Sequence, residues 1–149
     1  MRTAALALLA GGDFSRHELT ARLVRKGHEP ALVEAAVAGL VEEGLLREAR
    51  YVEQFVRQHG GRGRGPARIR AGLRERGVET ALIDQGLDEA GQDWVRAARE
   101  ARRRKFGAAL PADHRERAKQ ARFLQYRGFS SEQIRAALGP GEDDPDHDH

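Results

Sequence analysis

The chain contains no cysteine, one tryptophan, two tyrosines and five phenylalanines among 149 residues. Without cysteine there is neither a disulfide framework nor a thiolate metal site, and a reducing cytoplasm is the compartment that such a composition suits. No run approaches the ~20 apolar residues that cross a bilayer. The start, "MRTAALALLAGGDFS", has a short apolar stretch followed by Gly-Gly-Asp, without a cleavage pattern. It reads as a first amphipathic helix rather than a secretory signal. Alternating apolar and polar residues are missing throughout, which leaves an all-α fold.

The constellations of an enzyme are missing as well. His17 lies beside Glu18, but Glu18 is spaced to cap a helix with Ser15. His28, His59 and His114 are isolated in the sequence. Asp146, His147, Asp148 and His149 gather at the end, with nothing to orient them as ligands, so only adventitious divalent binding is expected there. The expectation is a protein without catalysis, cofactor or metal.

What the sequence does have is arginine. Lys and Arg number 26 against 23 acids, and all but three of the cations are arginine. The net charge is +3, yet the last eleven residues, "GPGEDDPDHDH", carry five acids and no Lys or Arg; setting these aside leaves +8 on residues 1–138. The planar guanidinium fork suits carboxylates and phosphates, which points to a polyanionic or acidic macromolecular partner. The alternative source of the same bias is a G+C-rich genome, which the abundant Ala and Gly also fit.

A repeat organises the chain. Leu, two residues, a basic residue and Gly recur as "LVRKG" (Leu23 to Gly27), "LRERG" (Leu73 to Gly77) and "LQYRG" (Leu124 to Gly128). Six residues after each glycine stands Val33, Ile83 or Ile134, and ten after stands Val37, Leu87 or Leu138. A period near fifty residues is the mark of a tandem array. In each copy the cation meets the negative end of a helix, and glycine takes the left-handed cap. A new helix then starts, with Pro30 in its first turn in one copy and a capping box at "SSEQ" (Ser130 to Gln133) in another.

Between Pro30 and Glu43 the stripe Leu32, Val33, Ala36, Val37, Leu40, Val41 marks a buried face. A further helix precedes each pair: "TAALALLA", then "ARYVEQFVRQ" with Tyr51, Val52, Phe55 and Val56 on one side, then Gln92 to Phe106 with Trp94, Ala98 and Ala101 on an apolar edge. The chain therefore reads as three tandem three-helix repeats at 1–46, 47–91 and 92–138, followed by an acidic flexible tail at 139–149. Repeats of this size hold little core alone and are expected to pack in sequence or share helices, as an elongated, curved array. No heptad seam suggests association, so a monomer is expected.

Two arginine clusters stand out. "GRGRGPARIRAGLRERG", residues 61–77, has six arginines and one acid. Only two Arg-Gly dipeptides occur before periodic helix begins at Pro66, which argues against a disordered Arg-Gly tail. No strand precedes the glycines and no Gly-Lys-Ser or Gly-Lys-Thr follows, which argues against a phosphate loop. The segment is a loop and a helix, with Ile69 and Leu73 inward and Arg62, Arg64, Arg68, Arg70 and Arg74 available to DNA or an acidic protein surface. The second cluster is Arg96, Arg99, Arg102, Arg103, Arg104 and Lys105. Residues 96, 99 and 103 follow i, i+3, i+7 and form a stripe able to track phosphates, while Glu100 pairs off one or two cations within the helix. Most aromatics lie on apolar stripes; Tyr126 is the exposed candidate for stacking on a base.

The stretches "SRHELTARLVRKG", "LVEEGLLREARYVEQFV", "GRGPARIRAGLRERGVE" and "RFLQYRGFSSEQIRAAL", in that order and spacing, resemble the RecX family of regulatory proteins, which modulate the RecA recombinase filament. They cover most of residues 15–138. One departure is Arg47, where the family usually has the first of two acids before its "RYA" stretch; here Arg47 and Glu48 precede "ARY". The resemblance implies tandem three-helix repeats, no cofactor, and a cytoplasmic, non-enzymatic inhibitor. It would bind RecA filaments on single-stranded DNA, along the helical groove or at a growing end, and suppress their ATPase, coprotease and strand-exchange activities within DNA repair, recombination and the SOS response; double-stranded DNA is a further candidate partner. The alternative is a DNA-binding helical repeat of helix-turn-helix type without a specific recombinase partner.

Overall fold

The computed structural model describes residues 1–139. The acidic stretch from 140 onward, with its candidate metal ligands, lies outside the described residues. Among those described there are nine α-helices and no strand: α1 (Arg2–Gly11), α2 (Arg16–Arg25), α3 (Pro30–Glu42), α4 (Glu48–Gly61), α5 (Pro66–Glu75), α6 (Thr80–Glu89), α7 (Trp94–Phe106), α8 (His114–Tyr126) and α9 (Ser131–Leu138). The starts follow sequence chemistry. Ser15 with Glu18 and Ser130 with Gln133 form full capping boxes, Pro30 opens α3, and Pro66 opens α5. Asp93 and Asp113 cap α7 and α8 by accepting from Arg96 and Glu116 N–H.

The helices pack as two compact units. One comprises residues 1–55 and 72–90; the other comprises 56–71 and the residues from 91 onward. Two of the three divisions fall inside helices, α4 and α5, and the third falls between α6 and α7, so α4 and α5 of the middle repeat are shared between units. A three-helix repeat of this size buries too little surface by itself, and sharing helices enlarges each core.

In the first unit α1, α2 and α3 enclose Ala5, Leu19, Leu23, Val33, Val37, Leu40 and Leu46. Only half of the α3 stripe is used. Val33, Val37 and Leu40 are fully buried, whereas Leu32 is 57% and Val41 37% exposed. The i, i+4, i+7 row fills the width that two packed neighbours cover, and its flanks remain in water. In the second unit α7, α8 and α9 enclose Ala98, Ala101, Leu124, Phe129, Ile134, Ala137 and Leu138, and Phe106 meets Phe123 edge to face at 5.4 Å.

The three repeat glycines have one geometry. Gly27, Gly77 and Gly128 take φ of 101°, 77° and 100°. The glycine N–H donates to the carbonyl three residues back (Val24, Arg74, Gln125), and the next residue's N–H to the repeat leucine (Leu23, Leu73, Leu124). This is a Schellman cap made three times. Two of the caps also serve as joints. In the first unit the Ser15 hydroxyl donates to Arg76 O at 2.7 Å, and His17 Cβ packs on Gly77. In the second, fifty residues on, Gly65 N–H donates to Arg127 O at 2.7 Å, Ala67 N–H donates to Gly128 O at 3.0 Å, and Arg68 packs on Gly128. The start of a repeat's middle helix thus seats on the end of the next repeat's middle helix, and it satisfies a carbonyl that the helix itself leaves open. At Gly27, among the described residues, nothing lies within 4 Å of where an added Cβ would stand.

Two ionisable groups of the first unit are perturbed. Burial, and the Glu18 carboxylate to which its hydroxyl donates, push the Tyr51 phenol far above its usual range. Burial also raises Glu48, partly offset by the Arg16 N–H and charge.

Gly65→Ala is expected to cost on the order of 2 kcal/mol or more, because an added Cβ would strike the Gly128 carbonyl and the Phe129 nitrogen. Ser15→Ala, which loses both cap and joint, is expected to cost about 1–2 kcal/mol; urea denaturation measures both. Glu48 holds its proton more tightly folded than unfolded, so its contribution favours the fold at low pH and is lost as pH rises through the raised value. Glu48→Gln should therefore raise Tm relative to the parent at pH 7, with the gap closing as melts are taken below the usual carboxylate range.

Candidate nucleic-acid interface

Both sequence clusters contribute to the second unit. The end of α4 and the loop after it lie close to α7 and the residues before it: a Cβ added at Gly63 would touch Ala101, and one added at Gly60, in the last turn of α4, would touch the Gln92 amide. A cleft of about 450 Å3 opens between that loop and the first turns of α7, flanked by Arg96 and Arg104. A second, of about 490 Å3, lies between α7 and α9.

The first cluster sorts by what each guanidinium touches. Arg62 and Arg74 are exposed, and Arg74 belongs to the first unit. Arg64 is half-buried and held by His59 Nδ1. Arg68 is half-buried, donates to Tyr126 O at 3.2 Å and lies 4.9 Å over the Tyr126 ring. Arg70 is half-buried with a partner of its own. Tyr126 is 72% exposed, so one ring face is taken by Arg68 while most of the ring meets solvent.

On α7, Arg96, Arg99, Arg103 and Lys105 are exposed. Arg99 spends one long donor on Ala136 O at 3.4 Å, Lys105 lies 5.9 Å over Phe123, and Arg104 pairs with Glu100 at 3.7 Å. Arg102 is a correction. It is 4% exposed, and its guanidinium donates to Gly107, Ala108 and Ala109 carbonyls and to Gln120 Oε1. Those acceptors take its donors inside the fold, so it is withdrawn from the surface set. The signal was present in the sequence. Ala98, Ala101 and Arg102 stand at i, i+3, i+4, which places Arg102 on the buried edge rather than on the cationic stripe.

Two arginines outside the expected set have structural roles too. Arg76 donates to Gly72 O and stacks on Phe55 at 4.9 Å. Arg127 stacks on Phe123 at 5.2 Å and reaches Arg62 O at 3.5 Å. Both occupy the basic position of the repeat motif, and both sit at a joint. Arg47, the departure from the family pattern, donates to Gly44 O at 3.0 Å, and α4 starts one residue later. Among the described residues no three His, Cys, Asp or Glu side chains gather as a metal site, and no helix is long and apolar enough to cross a membrane.

Compared with known proteins, residues 2–40, 48–87 and 92–138 match the first, second and third three-helix domains of RecX in turn. The chain is 49% identical over 144 residues to "Regulatory protein RecX" of Halorhodospira halophila, covering 97% of this chain and 89% of the relative. It is 48% identical over 145 residues to the protein of that name in Pseudomonas savastanoi pv. phaseolicola, covering 97% and 94%. Two solved structures share the fold. A crystal structure of regulatory protein RecX aligns at TM-score 0.76 and 22% identity over 89% of this chain and 66% of its own. RecX from Lactobacillus salivarius aligns at 0.73 and 20% over 89% and 88%.

Arg102→Met is expected to destabilise by about 1–3 kcal/mol, because Gln120 and the 107–109 turn lose the donor that ties them to α7. Arg103→Gln, exposed on the same helix, should stay within about 0.5 kcal/mol of the parent. Paired urea titrations separate the two.

Proposed function

This chain belongs to the RecX family, and from that we propose that it binds RecA nucleoprotein filaments on single-stranded DNA and inhibits their ATPase, coprotease and strand-exchange activities. It does so as a cytoplasmic monomer without catalysis of its own or a cofactor, and it has affinity for double-stranded DNA as well. The observation that carries the reading, beside the family, is the exposed row Arg96, Arg99, Arg103 on α7 in the unit that also holds Arg62, Arg64, Arg68 and Arg70. Guanidiniums in that number, with few acids among them, suit a surface where phosphates and carboxylates alternate, as on a protein filament coating DNA.

The proposed domain division into repeats at 1–46, 47–91 and 92–138 fits the same task. Linked repeats make several modest contacts, and each contact after the first forms at high effective concentration. A plain DNA-binding repeat is favoured only by the helix, tight turn and arginine-bearing helix from α4 to α5, a shape shared with helix-turn-helix proteins.

The test is the ATPase of DNA-bound RecA titrated with the protein. Inhibition is expected well below one molecule per recombinase. The variant Arg96→Gln/Arg99→Gln/Arg103→Gln should need about tenfold more protein for half-inhibition, a change of ~1.4 kcal/mol. Inhibition that appears only once free DNA is sequestered would establish the plain DNA-binding reading instead.

A further inference from the structure

The groove between α7 and α9 combines two chemistries in about 490 Å3, a size that suits a side chain and its neighbouring backbone. Arg96, Arg99 and Arg103 stand on it, and Leu110, Ala136 and Ala137 supply its apolar lining. Glu100 is the one acid among the lining residues, and it faces Arg104 at 3.7 Å. Leu110 is 58% exposed. It is kept in place by Arg102, whose guanidinium grips the carbonyls of the three residues before it. The protein therefore uses a buried cation to present an aliphatic side chain to water beside three guanidiniums.

A phosphodiester backbone would answer the guanidiniums and leave Leu110 and the alanines wet. A peptide answers both when it carries acids for the arginine forks and a bulky apolar side chain for the lining. We propose that this groove docks a short acidic segment of a partner protein bearing one aliphatic or aromatic anchor. Residues 140–149 of the chain itself follow Gly139, which also lines the groove. They carry five acids but no Leu, Ile, Val, Met or Phe, so they match the arginines and not the apolar lining. The inference rests on the filament-regulator reading only for the partner's identity.

The test uses the full chain and no recombinase, so its failure and the failure of ATPase inhibition are separate results. The probe is a short labelled peptide of Asp and Glu with one central Phe, followed by fluorescence anisotropy; its Phe→Ala counterpart and oligo-dT are the controls. The Phe peptide should bind about tenfold tighter than the Ala peptide, a difference of ~1.4 kcal/mol. Leu110→Ser should erase that difference and leave oligo-dT affinity within about twofold. Ala136→Glu, on the exposed face of α9 and helix-compatible, should weaken both peptides, and circular dichroism melts verify that both variants fold. Neutralising the five acids of 140–149 should leave Phe-peptide affinity unchanged. Equal binding of the two peptides overturns the proposal, as does oligo-dT binding that Leu110→Ser weakens. A marked gain in peptide affinity on neutralising the tail also overturns it, by making the chain's own tail the occupant.

Discussion

Everything in this fold is arranged around the carbonyl groups that a helix leaves unpaired at its C-terminal end. At Arg76 and at Arg127 the C-cap carbonyl, just before a left-handed glycine, is taken by the start of the preceding repeat's helix. The same need is met by two different residues. Ser15 is fully buried and reaches with its hydroxyl, whereas Gly65 brings its own N–H because any side chain there would collide with the Gly128 turn. A serine and a glycine at equivalent positions look unrelated in sequence and are equivalent in accounting for backbone hydrogen bonds. Each packing unit contains one such joint, which explains why neither unit is a single repeat.

Arginine plays three parts in one chain. Arg102 is a buried fastener. Arg68, Arg76 and Arg127 are half-buried, spread over aromatic rings at the joints. Arg96, Arg99 and Arg103 stand in water. The last kind is the most open to solvent, and the first two hold the surface on which it stands. This division follows from the guanidinium itself, whose planar donors bond carbonyls, stack on rings and pair with anions with equal facility.

The repeat, the helix starts and the caps were legible because each rests on local chemistry: Leu and Gly at fixed offsets, Ser followed three residues later by Glu or Gln, proline at a first turn. Val33, Ile83, Ile134, Val37, Leu87 and Leu138 are all buried, as their spacing requires. The sharing of α4 and α5 between two packing units was not legible, since a sequence repeat marks what was copied and not where contacts are densest. The arginines were legible as clusters but not as individuals. Their fate depends on which carbonyl or ring lies opposite, and at 68, 76 and 127 that partner is set by tertiary packing; only Arg102 betrayed itself through its place on the alanine edge.

The fastener has a property that the outer cations lack. None of the four acceptors of Arg102 is a carboxylate, so the guanidinium is held by neutral oxygens rather than by an ion pair. Dissolved ions, which weaken exposed attractions, barely reach a buried one. Surface charge and local architecture are thereby uncoupled: a concentrated electrolyte screens Arg96, Arg99 and Arg103 while the bonds that Arg102 makes to the 107–109 turn and Gln120 stay in place.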